Sequence, residues 1–154
     1  MTFFKILLFF LLSYILFAQK VEIVSDSMKA EDLKKEVHFV GNAHIKKVDD
    51  WLNADEVIVY FDENNETKKY EALGSVTFEF KNEKGHYTGS ANKVTYYPTK
   101  SEYILSGKAI IDDLLNKRHV NGDVIMLDML TGNAQVQGSK QKPVKFTFDV
   151  EKKE

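Results

Sequence analysis

One seven-residue pattern recurs four times along the chain and constrains its fold more than any other feature. In each copy an apolar residue lies two positions before a glycine, Ala or Val lies two after it, and a larger apolar residue lies four after it. Gly41, Gly74 and Gly107 are 33 positions apart (74 − 41 and 107 − 74), and Gly132 follows after 25 (132 − 107). Alternation at period two predicts strands with one buried face, and recurrence at a longer fixed period predicts a stacked β architecture.

A second kind of strand follows the first three copies. It carries Ala or Gly, then Asp or Asn, then apolar residues at alternate positions, and it recurs at 53–60, 90–97 and 121–128. Turn-forming clusters separate the strands, as in an antiparallel meander, and a last alternating strand is predicted at 145–150. Since no stretch after residue 18 shows a sustained helical period, the sequence predicts an all-β domain of about ten to twelve strands.

Side chains two positions apart share one face of a sheet, so both kinds of strand have an apolar face and a polar one. Asn42, His44, Thr77 and Thr95 are expected on the polar face. The apolar face is expected to include Phe39, Ile45, Val57, Phe78, Val94, Tyr96, Leu105 and Ile111. Glycine inside a strand marks a bend or a close backbone approach, so glycines in register predict a crease that turns the apolar face toward itself. The spacing leaves a closed sandwich and an open V as alternatives.

The first eighteen residues form a separate segment. Lys5 precedes an apolar run at 6–17 that only Ser13 interrupts, and Ala18 precedes polar residues. Spanning a bilayer takes roughly 20 apolar residues, so a cleaved secretory signal is the preferred interpretation. Leu16 lies where such signals prefer a small residue, which keeps an uncleaved anchor as the alternative. We therefore expect a signal helix at 1–18, a β-domain at 19–138, and a C-terminal strand with a charged tail at 139–154.

Several classes of function are not supported by the sequence. A net charge of −2 provides no basic field for nucleic acid. There is no cysteine, no Gly-x-Ser-x-Gly elbow and no His-Glu-x-x-His motif, so no catalytic constellation is predicted. His38 and His44 share a face but lie six residues apart, roughly 20 Å along a strand. The four histidines are therefore interpreted as surface residues, and neither a metal, a cofactor nor an enzymatic activity is predicted.

One short motif lies on a predicted exposed turn. Asn65 begins an Asn-x-Thr sequence, and the acidic Glu63 lies two positions before it. This arrangement resembles the acceptor sequence of bacterial N-glycosylation, which requires a surface loop of an exported protein. Asn65 is therefore a candidate glycosylation site.

The repeated pattern as a whole resembles the OstA-like family of lipopolysaccharide-transport proteins. The resemblance is carried by Val37-x-Phe39-x-Gly41-Asn42-Ala43, Asn53-Ala54-Asp55-x-Val57, Gly89-x-Ala91, Leu105-x-Gly107-x-Ala109 and the earlier Ile23-x-Ser25-Asp26. It covers residues 21–138, whereas 139–154 shows no clear family motif. It implies a twisted, half-open antiparallel β-jelly-roll with a V-shaped pair of sheets that shields lipid acyl chains.

The same resemblance implies a periplasmic carrier that binds lipopolysaccharide through its lipid A acyl chains and bridges the inner and outer membranes. The lipid-binding residues would be Val21, Ile23, Phe39, Ile45, Val57, Phe78, Val94, Tyr96, Leu105 and Ile111. Exposing a CH2 group to water costs roughly 0.8 kcal/mol, so a chain of ~14 carbons needs about 10 kcal/mol of shelter during transfer. An apolar groove could provide that shelter.

Assembly is expected at the two ends of the β-ribbon. Edge strands pair with other chains unless blocked, and pairing between unlike ends builds an open filament. Residues 21–24 and either 131–138 or 145–150 are the candidate ends for head-to-tail self-association and for inner-membrane LptC-like and outer-membrane LptD-like partners. Two alternatives remain: a membrane-anchored LptC-like component of the same pathway, and a structural β-scaffold with a filled core and no ligand.

Overall fold

A computed structural model describes residues 20–83 and 85–150, with every side chain in that part except that of residue 82. The predicted signal helix at 1–18 lies outside the described residues. The ten strands are β1 (Glu22–Val24), β2 (Ser27–Glu31), β3 (Glu36–Lys47), β4 (Asp50–Phe61), β5 (Thr67–Asn82), β6 (Gly85–Tyr97), β7 (Glu102–Asp113), β8 (Arg118–Asp128), β9 (Ala134–Gln137) and β10 (Lys145–Phe148). Within this described part there is no helix, and so none that could span a membrane. The all-β prediction is confirmed.

All ten strands belong to one antiparallel sheet. From β3 to β8 each strand pairs with the next, and the two ends of this meander each carry two short strands. At one end β2 pairs with residues 36–40 of β3 and β1 with residues 44–46. At the other end β9 pairs with residues 124–127 of β8 and β10 with residues 118–121. The predicted end segments therefore lie at the sheet edges, and β10 joins the C-terminal segment to the same sheet.

The first three glycine strands, β3, β5 and β7, each contain a β-bulge. In the β3–β4 pair, Gly41 and Asn42 lie opposite the single residue Asp55. The same arrangement recurs as Gly74-Ser75 opposite Asn92 and Gly107-Lys108 opposite Asp123. Both residues of each pair have a positive φ, between 46° and 84°. A bulge bends its strand and increases the local twist, so three bulges in register produce the predicted crease.

The glycine at each bulge is required by the side chain beside it. A Cβ atom built on Gly107 would lie 2.6 Å from Asn92 Nδ2 and 2.9 Å from Asn92 Cβ. The remaining glycines of the first three repeats meet an aspartate in the same way, Gly41 against Asp26 and Gly74 against Asp55. The glycine and the Asp or Asn of the preceding segment thus form one packing unit, which explains why both recur with the same period.

The fourth glycine departs from the prediction. Gly132 lies in the turn before β9, which begins only at Ala134, and a Cβ atom added to it would have nothing within 4 Å. Leu130, expected on the apolar face, is 76% exposed. The prediction of a fourth glycine strand is therefore wrong for residues 130–133, since only Ala134–Gln137 form a strand. The reason is the register of β9 with β8, in which pairing ends where Ala134 lies opposite Leu127. Gly132 is therefore not opposite Asp123, the aspartate of the preceding strand, and meets no side chain as the other three glycines do.

The line of bulges divides the sheet into two halves, named here after their edge strands. The β2 half comprises β2, β9 and residues 36–40, 56–61, 67–73, 93–97, 102–106 and 124–128, and the β1 half comprises β1, β10 and residues 43–47, 50–54, 76–82, 85–91, 109–113 and 118–122. Phe80 of the β1 half packs against Tyr103 of the β2 half with ring centroids 5.1 Å apart, although β5 and β7 are not neighbours. The apolar face therefore folds onto itself.

The outer face is less polar than the sequence predicts. Thr95, expected to face water, is only 7% exposed, and Ile58 on the same face is 8% exposed. Glu71 lies between them in register and forms contacts with Tyr60, Lys69 and Lys93, whose long side chains surround this row. The exposure of Thr95 was predicted wrongly because alternation gives the direction of a side chain, while its neighbours decide its exposure. Thr77 is exposed as predicted.

Candidate functional site: a cleft between the sheet halves

A cleft of about 280 Å³ lies between the two halves. The β2 half lines it with Val57, Tyr70, Ala72, Val94, Tyr96 and Tyr103, and the β1 half with Ile45, Leu52 and Phe80. Val21 from the N-terminal edge and Pro98 from the β6–β7 turn also reach it. These residues share the inward face of their strands, so the crease brings together rows that are far apart along each strand.

Three tyrosines on adjacent strands form one wall of the cleft. Tyr70 lies opposite Tyr96 in register, and Tyr96 opposite Tyr103. The rings of Tyr96 and Tyr103 stack at 4.3 Å, and those of Tyr70 and Tyr96 at 6.1 Å. Burial raises the pKa of Tyr96, with a further contribution from Tyr70, and burial together with Tyr96 and Asp50 raises the pKa of Tyr103. Tyr96 and Tyr103 therefore stay neutral, and all three rings offer flat, largely apolar faces to a ligand.

The charged residues that line the cleft are few. They are Lys47, Asp50 and Glu71, and the side chain of Glu71 is already paired with Tyr60, Lys69 and Lys93 on the outer face. Lys47 and Asp50 are cross-strand partners beside the β3–β4 turn, so their charges lie at the end of these strands and the apolar rows lie further in. The lining contains no His, Cys or Ser. Such a site can hold an apolar molecule with a polar end.

The structure divides the ten predicted lipid-binding residues into two groups of five. Val21, Ile45, Val57, Val94 and Tyr96 line the cleft. Phe78, Leu105 and Ile111 are buried in the core, where the partly buried Ile23 and Phe39 pack against it. All ten share the inward face, and their role in lipid binding stays a prediction.

Five large lining residues were not among those predicted: Trp51, Leu52, Tyr70, Phe80 and Tyr103. The signal that identifies three of them is the same alternation extended by one step. Tyr70 lies two positions before Ala72, Tyr103 two before Leu105, and Phe80 two after Phe78. Leu52 could have been found from pairing, because it lies opposite Ile45.

Asn65 lies in the exposed β4–β5 turn with a φ of 60°. The Nζ atom of Lys35 donates a hydrogen bond to its Oδ1 at 2.9 Å. The residue is thus on a surface turn, where an acceptor site must lie. Its glycosylation stays a prediction.

Comparisons with known proteins identify the family. Residues 22–142 match the family model described as LptA/(LptD N-terminal domain) LPS transport protein. The crystal structure of LptH, the LptA homologous periplasmic component of the lipopolysaccharide transport device from Pseudomonas aeruginosa, superposes with a TM-score of 0.74. That match covers 86% of this chain and 96% of that chain at 15% identity, which supports the fold. No individual curated protein sequence matches the chain. The OstA-like resemblance is confirmed, and the chain belongs to the LptA/LptD N-terminal domain family of lipopolysaccharide-transport proteins.

Proposed function

We propose that this protein is a non-enzymatic periplasmic carrier that shields the acyl chains of lipopolysaccharide on the way from the inner to the outer membrane. The observation that carries the proposal is the apolar cleft between the halves, in a chain of this family. Aliphatic and aromatic side chains line its interior, and the Lys47–Asp50 end can face the polar part of the lipid. Nothing in this role needs a cofactor.

The size of the cleft bears on how the lipid is held. Pockets for small ligands occupy about 300–1,000 Å³, so a volume of about 280 Å³ shelters only part of a lipid with several acyl chains. The halves must therefore open further, or successive copies must add their clefts together. The second arrangement agrees with the open edges of the sheet.

Inward rows end at both edges with exposed apolar residues, and this supports head-to-tail assembly. In the β1 half the row begins at Ile23 and ends at Phe146, which is 54% exposed. In the β2 half it begins at Met28, which is 64% exposed, and ends at Val136. If the β9–β10 edge of one copy paired with the β1–β2 edge of the next, both rows would continue across the junction. LptC-like and LptD-like partners would use the same two edges.

The periplasmic location rests on export through the segment at 1–18. Cleavage would release the carrier, whereas retention would give the anchored LptC-like component. The mass of the mature protein from its native host decides between these two.

A photo-crosslinking amino acid at Tyr96 is expected to capture lipopolysaccharide in living cells. Tyr96 lies in the wall of the cleft, within contact of any chain bound there. Immunoblotting for a lipopolysaccharide adduct is the measurement. The matched control is Thr77, which is exposed on the outer face of the same sheet. Equal capture at both positions, or capture at Thr77 alone, would contradict the proposed binding site.

Phe146→Glu is expected to weaken self-association by more than tenfold. Burying a phenylalanine contributes about 1.5–3 kcal/mol, and each 1.4 kcal/mol corresponds to a factor of about ten in affinity. Sedimentation velocity over a range of concentrations measures the change. Leu115→Glu is the control, because Leu115 is 61% exposed but lies in the β7–β8 turn, outside every strand of the sheet. Unchanged association of Phe146→Glu, or an equal loss with Leu115→Glu, would exclude the β10 edge as the junction.

A further inference from the structure

The hairpin of β2 and β3 gathers an imidazole and two carboxylates on the outer face. Glu31 lies opposite Glu36 in register, and His38 follows Glu36 by two positions on the same face. One ligand atom from each of these three side chains lies within 4.8 Å of the other two. Their side chains are only 20–23% exposed. The sequence prediction considered spacings between histidines alone, and so it did not consider carboxylates delivered by the neighbouring strand.

The ring of His38 is held from both sides. Its Nδ1 lies 3.0 Å from Glu56 Oε1 and its Nε2 lies 2.9 Å from Glu36 Oε2. A histidine that ligates a metal usually donates its other ring N–H to a carboxylate, which fixes the tautomer and orients the ring. Glu56 is in that position. With Nδ1–H donated to Glu56, Nε2 is the ring nitrogen that faces the Glu36 carboxylate, 2.9 Å from its Oε2. This orientation distinguishes the cluster from an ordinary acidic patch.

We propose that Glu31, Glu36 and His38 bind a divalent transition-metal ion of the Zn²⁺ type. Zinc takes nitrogen and carboxylate oxygen at about 2.0–2.2 Å, so ligand atoms on a tetrahedral ion lie about 3.3 Å apart. Rotation of the two glutamate side chains, which moves each carboxylate oxygen by about 1 Å, brings the three ligand atoms to that spacing. Water completes the coordination. The imidazole selects zinc, copper or nickel over magnesium and calcium, which prefer oxygen ligands.

Two lysines form ion pairs with the Glu31 carboxylate when the metal ion is not bound. Lys29 Nζ lies 2.8 Å from Glu31 Oε1, and Lys34 Nζ lies 3.2 Å from Glu31 Oε2. Their side chains are 72% and 68% exposed, so they can move into solvent at little cost. The ion would take the place of these ammonium groups at Glu31 and of the hydrogen between His38 and Glu36. Lys29 and Lys34 are therefore competitors of the metal.

The ion is expected to link the edge strand β2 to the strands inside the sheet. Glu31 belongs to the edge strand β2, Glu36 and His38 to β3, and the supporting Glu56 to β4. One ion would thus join β2 to β3 directly, and β4 would be linked to it through the hydrogen bond between His38 and Glu56. Such a connection is independent of lipid in the cleft, so its test does not depend on the proposed function.

Titration of the folded protein with Zn²⁺, in competition with a chromophoric chelator, tests the site. The wild type is expected to bind one equivalent. His38→Gln and Glu31→Gln are expected to bind at least tenfold more weakly, and Glu56→Gln about 10–100-fold more weakly, as for other residues that orient metal ligands. Lys29→Met keeps every ligand and is expected to bind more tightly. His119→Gln is the control, since His119 also pairs with an acid, Asp112, on the outer face but has no third ligand near it among the described residues.

Far-UV circular dichroism of each variant establishes that the sheet is intact. Weaker binding in Lys29→Met would contradict the proposed competition even if a ligand variant failed to fold. Equal Zn²⁺ affinity in His38→Gln and the wild type would overturn the site. So would competition by Mg²⁺ at the concentration of Zn²⁺, because it would show carboxylates acting without the imidazole.

Discussion

Phe78→Ala is expected to lower the free energy of unfolding by about 3–5 kcal/mol, the range for phenylalanines removed from a packed core. The side chain is 2% exposed, stacks on Phe80 at 4.8 Å and lies over the backbone of Gly89, where any Cβ would meet its ring. The surrounding strands cannot close the resulting cavity without moving the crease. Urea denaturation followed by circular dichroism measures the change.

Thr77→Ala is the matched control for this substitution. Thr77 precedes Phe78 in β5, points to the outer face and is exposed, so its truncation should change stability by less than about 0.5 kcal/mol. A loss of less than about 1 kcal/mol in Phe78→Ala would mean that the closed core is not built around this ring. A large loss would show that Phe78 has a structural role, in addition to the lipid contact that the sequence predicts.

Gly107→Ala is expected to destabilise the protein by about 2–5 kcal/mol. The φ of +80° at Gly107 is left-handed, which costs a residue with a Cβ roughly 1–2 kcal/mol. The new methyl group would also press on Asn92, at a cost typical of overpacking, about 1–3 kcal/mol. The thermal midpoint and the urea midpoint should both decrease.

Gly132→Ala separates these two contributions. Gly132 has a similar φ of +76° but open space around it, so only the backbone cost of roughly 1–2 kcal/mol is expected. The difference between the two variants is then the contact with Asn92. Equal losses would show that conformation alone, and not the packing of glycine against Asn, explains the repeated motif.

Local pattern was sufficient to predict most of the strands, their inward face and the crease. The period of 33 residues and the alternation around Phe39 and Val57 follow from interactions between neighbours in the chain and in the sheet. The resemblance to the family rests on the same positions, which is why it extends to the fold.

Features that depend on contacts between distant residues could not be predicted in this way. The pairing of Phe80 with Tyr103 joins two strands that are not neighbours, so no spacing along the chain reports it. Whether an inward residue lines the cleft or the closed core depends on how far the halves fold together, which separates Tyr96 from Phe78. The open space around Gly132 depends on the register between β8 and β9, which the repeat in the sequence does not reveal.

The bulge ladder also limits how a chain of this kind can change its length. Each glycine strand needs an Asp or Asn on the segment before it, and neighbouring strands run in opposite directions. Adding or removing a single strand would reverse the direction of every strand after it. A bulge glycine would then lie beside another bulge and not beside the Asp or Asn that it packs against. A whole unit of two strands can be duplicated or lost while every glycine keeps its neighbour. Evolution of a longer or shorter groove in this fold is therefore expected to proceed in steps of one complete repeat.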